Sequence, residues 1–71
     1  MNLKNVRKGK QAKLAADTIA YSVNQHAPVL LDTGTGIKPV GDHELGTKFQ
    51  VLDGPYATVF LAAPDETPVT M

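Results

Sequence analysis

The sequence predicts a small single-domain α+β protein, with one N-terminal helix packed on a short antiparallel sheet. Three observations carry that prediction. Residues 46–61 alternate apolar and polar side chains and break at Asp-Gly-Pro, which reads as a hairpin. Residues 11–25 place Leu14, Ala15, Thr18, Ile19, Ser22 and Val23 at spacings of three and four, which reads as the apolar face of a helix. Finally, a chain of 71 residues without cysteine has room for one modest core and no disulfide to reinforce it.

The hairpin is the centre of the expected core. Phe49 and Val51 alternate with Lys48 and Gln50, and three of the four aromatic rings in the chain, Phe49, Tyr56 and Phe60, lie within residues 46–61. At its turn, Pro55 fixes its own φ and pushes Gly54 out of the right-handed helical region, while Asp53 is expected to accept a bond from the backbone two residues on.

The run from Gly46 to Ala57 resembles the KOW motif of NusG-type transcription factors and certain ribosomal proteins: a glycine, an alternating strand, then Asp-Gly-Pro-aromatic-Ala. Gly54 matches the central glycine of that motif, and Phe49, Val51 and Tyr56 match its apolar positions. A second glycine soon after the alanine, usual in the family, is missing here. The resemblance covers about a sixth of the chain. It implies an SH3-like sheet and a partner in the transcription or translation machinery, an RNA polymerase subunit being the specific expectation.

Taken in order, residues 1–10 hold two isolated apolar residues among charges, with Gly9 interrupting any helix, and read as a flexible basic arm. In residues 11–25 the helix competes with a strand beginning near Thr18, because Ile19, Tyr21 and Val23 also alternate with Ala20 and Ser22. Asn24 and Pro28 supply helix stop signals, and the helix is preferred. Residues 28–32 read as a short buried strand ending at Asp32, a turn former, and residues 33–42 as a glycine- and proline-rich loop. Two prolines and two acids mark residues 64–71 as a flexible acidic tail, leaving 11–63 as the compact domain.

Charge divides the functional possibilities. The net charge is zero, yet residues 1–16 carry Lys4, Arg7, Lys8, Lys10 and Lys13 with no acid, and residues 17–71 carry seven acids against Lys38 and Lys48. Such a basic arm on an acidic body suits electrostatic steering onto a protein more than dedicated nucleic-acid binding. Catalysis is not expected. Residues 30–34, Leu-Leu-Asp-Thr-Gly, resemble an aspartic-protease segment, but 71 residues leave little room for a substrate cleft. Asp42-His43-Glu44 alternates across an extended segment and reads as a solvated acidic turn, with no metal or other cofactor expected.

The expected function is therefore a non-enzymatic, protein-binding regulator of transcription, of the kind a phage directs at host RNA polymerase. Its candidate contact residues are Arg7, Lys8, Lys10 and Lys13 on the arm and Lys48, Gln50 and Tyr56 on the hairpin. The alternatives are an RNA-binding module using the arm and a small structural (virion) oligomer subunit. No run approaches the roughly 20 apolar residues of a membrane span, and the first residues lack the apolar region of a signal peptide, so a cytoplasmic location is expected.

Overall fold

A computed structural model describes residues 1–25 and 27–71. Its strands are β1 (Ala12–Leu14), β2 (Thr18–Ser22), β3 (Pro28–Leu31), β4 (Gly36–His43), β5 (Gly46–Val51), β6 (Phe60–Ala63) and β7 (Val69–Thr70). They form one seven-stranded antiparallel sheet in the order β3-β2-β6-β5-β4-β1-β7.

The expected helix over residues 11–25 is not present; those residues form β1, a turn and β2. The strand reading prevails, but in β2 with its faces reversed: the alternating apolar residues Ile19 and Tyr21 lie on the outward side and small Ala20 on the core side. Ala12 and Leu14 point into the core while Lys13 points out, and Thr18 and Ala20 are buried while Ile19 is exposed. The helix-favouring run Gln-Ala-Lys-Leu-Ala-Ala is overridden by pairing with β4 and β7, partners remote in sequence.

Short connections force the sheet to curl. Residues 15–17 join β1 to β2 across a span of at most about 14 Å, whereas four strand spacings on a flat sheet would separate them by about 19 Å. The link from β3 to β4 crosses the same number of strands. Asp17 clasps the two links together: its Oδ1 accepts from the Thr33 backbone N–H and hydroxyl, each at 2.9 Å. Curling encloses one face, on which Leu14, Leu31, Ile37, Phe49, Val51, Leu61 and Val69 form a single core.

Both termini belong to this core. Residues 1–10, expected as a loose arm, contain a 3-10 turn at Leu3–Asn5, and Leu3 and Val6 are buried. Residues 64–71, expected as a tail, supply β7, with Thr67 and Val69 buried. The two ends also pair, through an Asn2–Pro68 bridge and backbone bonds from Val69 N–H to Met1 C=O (3.1 Å) and Leu3 N–H to Thr67 C=O (2.8 Å).

The hairpin is present as β5 and β6, but its connection is a loop over residues 52–59 rather than one tight corner. Gly54 (φ +79°) and Thr58 (φ +73°) take left-handed backbone there. Asp53 does not bond within its own turn; its Oδ1 accepts from Gly36 N–H at 3.1 Å and ties the loop to the start of β4. Of the hairpin's aromatic rings only Phe49 is in the core; Tyr56 and Phe60 are exposed. Asp32 does form a turn, through its carbonyl, which accepts from the Thr35 N–H and hydroxyl.

Candidate partner-binding face

Antiparallel pairing fixes which side chains share the outward face. One row runs Lys38–Gln50–Phe60 across β4, β5 and β6, and the next runs Gly41–Lys48–Ala62–Tyr21–Pro28 across β4, β5, β6, β2 and β3. Lys13 joins the same face on β1, opposite Gly36 and so diagonal to Lys38. This surface is a strip of lysines and aromatic rings carried on rigid strands. Its packing is real although it lies outside the core: Ala62, fully buried, is flanked by the cross-strand side chains Lys48 and Tyr21.

A bulge between Pro39 and Gly41 on β4 sets the alignment of this face. Gly9 N–H donates to the Pro39 carbonyl at 2.8 Å and lays residues 7–10 along that strand. At the centre of the strip, Lys48 Nζ stands 5.4 Å from the centroid of the Phe60 ring, an attraction between the ammonium and the ring face. Gln50 Nε2 donates to the Thr58 carbonyl at 3.4 Å and steadies the adjoining loop.

The candidate residues from the sequence divide into three places. Lys48 and Gln50 stand together on the strip, and Lys13 lies at its border. Arg7, Lys8 and Lys10 are exposed on the turn against β4, where Lys8 Nζ lies 3.4 Å from Asp42 Oδ1. Both partners of that pair are well exposed, so it contributes little to stability. Tyr56 is on the 52–59 loop, near Leu30 and Leu31, and does not join the strip.

Lys38, Tyr21 and Phe60 belong to the strip and were not among the candidates. Lys38 fell in a stretch read as loop, and Phe60 was assigned to the core because of its size.

Other chemistry on the surface is sparse. Asp17 is held below the ordinary carboxylate value of 3.8, first by the Thr33 backbone N–H and then by the Thr33 hydroxyl. His43 Nδ1 accepts from Leu45 N–H at 3.1 Å in the turn between β4 and β5. Among the described residues no three histidine, cysteine, aspartate or glutamate side chains gather as a metal site would require, and no helix is long and apolar enough to cross a membrane. The chain matches no family model, no curated protein and no solved structure.

Proposed function

We propose that this chain is a small non-catalytic binding module that docks an acidic protein surface on the outward face of β4, β5 and β6. The observation that carries this reading is the Lys38–Gln50–Phe60 row with Lys48 beside it, which combines positive charge, a hydrogen-bonding amide and an aromatic ring on a rigid sheet. The transcription machinery is the partner class to test first, with an RNA polymerase subunit as the specific candidate, because the hairpin bearing the row is also the segment that resembles a KOW motif. Regulation would follow from occupying a surface that another factor uses.

An RNA-stacking role is less well supported by the same face. The Lys48 ammonium already stands over the Phe60 ring, so a base would have to displace it before stacking.

The test is capture of partners from bacterial lysate on the immobilised chain, with and without nuclease, beside a Lys38→Glu/Lys48→Glu variant. Recovery of polymerase subunits that survives nuclease and is lost in the variant is the expected result. Recovery abolished by nuclease would move the function to RNA. Recovery unchanged in the variant would place the contact elsewhere.

A further inference from the structure

The strongest unused feature is the outer edge of β3. Ser22 N–H donates to the Ala27 carbonyl at 2.9 Å, and the register pairs Ala20 with Val29 and Thr18 with Leu31. Hydrogen-bonded pairs alternate along an antiparallel ladder, so Val29 and Leu31 spend their backbone groups on β2, while the N–H and C=O of Leu30 point away from it. Among the described residues no strand pairs with that outer edge, although Asp53, Pro55 and Tyr56 of the 52–59 loop line a small cleft with Leu30, Leu31 and Asp32. On the outward face, Leu30 stands opposite Ile19, and the two are 60% and 57% exposed. An uncharged edge flanked by exposed apolar side chains is a template for another strand, although this one is only four residues long and begins with Pro28, two features that blunt an edge.

The geometry points to a second copy of this chain as the occupant, paired β3 to β3 about a two-fold axis at Leu30. Each Leu30 N–H then donates to the other copy's Leu30 C=O. Two residues away, Asp32 N–H meets the Pro28 C=O of the other copy. Proline has no N–H to return, and none is needed: the Asp32 carbonyl facing it already accepts from the Thr35 N–H and hydroxyl. This edge lacks a donor where its own copy lacks a demand for one.

Charge favours the same arrangement. Residues 27–31 carry no charge, and the antiparallel register sets each Asp32 opposite a proline. A parallel, in-register pairing would set the two aspartates side by side. The remote edge of the sheet, β7, is covered by the chain's own N-terminal residues, so pairing at β3 closes the assembly at two copies instead of propagating it. This inference stands independently of Lys38 and Lys48, which lie on β4 and β5, away from the joined edge.

A four-residue edge is at the low end of interface sizes, so weak association is expected. Sedimentation velocity over a concentration series reaching the millimolar range should show the wild-type average moving from monomer toward dimer, and Leu30→Lys remaining monomeric. A Lys38→Glu/Lys48→Glu variant should associate as the wild type does. In parallel, wild-type amide resonances of residues 28–32 should shift with concentration while those of β5 stay fixed, a readout that does not depend on Leu30→Lys folding. Wild type that stays monomeric with unmoved amides, or a folded Leu30→Lys that associates normally, would overturn the proposal. So would a monomeric wild type that captures a foreign protein strand through Leu30.

Discussion

The two edges of the sheet are built in opposite ways. At β7, Val69 is buried, its N–H is bonded to the Met1 carbonyl, and Leu3 follows two residues later as a fully buried plug. At β3, Leu30 presents both its backbone groups and its side chain outward. An edge strand is an invitation to pair, and the chain answers it at one side with its own first residues. The lesson is that the N-terminal segment covers an edge through residues 1–3, and its charged residues follow from there. Their basic side chains project from a segment that the core holds in place.

The largest expected effect comes from attacking the covered edge. Leu3→Ala should cost about 2–5 kcal/mol in chemical denaturation, because it removes a fully buried side chain and frees the segment over β7. A cost comparable to that of an exposed leucine would show that the cover is ornamental.

Next is the crossover that leads into β7. Gly46 has φ +143°, and a Cβ there would lie 2.5 Å from the Ala63 carbonyl oxygen and 2.7 Å from the Asp65 nitrogen. Gly46→Ala should therefore lower stability by at least about 1–3 kcal/mol from backbone strain alone. Thermal unfolding that matches the wild type would refute the tight seat of this glycine beneath the crossover.

Asp17 offers a smaller, pH-dependent test at the links flanking the open edge. Its folded value lies below the ordinary 3.8, so its contribution is present above that pH and is lost as pH falls through the lowered folded value. Asp17→Asn should flatten this acid limb in a series of denaturation curves, and an unchanged pH profile would remove the clasp on Thr33.

Smallest of all is the open edge itself. Leu30→Lys should leave the stability of dilute monomer within about 0.5 kcal/mol of wild type, since the side chain is exposed. A loss as large as that of Leu3→Ala would mean that the two edges do not differ.

The same contrast explains what the sequence disclosed. The strand at residues 46–51 was legible because its alternation is local and complete: Phe49 and Val51 point in, Lys48 and Gln50 point out. Residues 28–31 were legible as a strand, but they were read as buried and are mostly exposed, since nothing in Pro-Val-Leu-Leu states which neighbours a strand will lack. The helix over residues 11–25 failed because the helix propensity of its first half is a local preference, and the pairing that defeats it comes from β4 and β7. The terminal segments were misjudged for a related reason. Leu3 and Val69 look isolated among polar neighbours and become core residues only when the two ends meet. At the candidate face, Lys48 and Gln50 were found on the strand whose period was read correctly. Lys38 and Phe60 became visible only once register joined three strands.

The most direct measurement is residue-resolved amide hydrogen exchange on dilute, monomeric wild-type protein. The account predicts that the Val69 amide, bonded to Met1 under the N-terminal cover, exchanges slowly with the core, while the Leu30 amide exchanges near the rate of an unprotected chain. Equal protection at both positions, or a fast Val69 beside a slow Leu30, would contradict the claim that this chain covers one edge and leaves the other open.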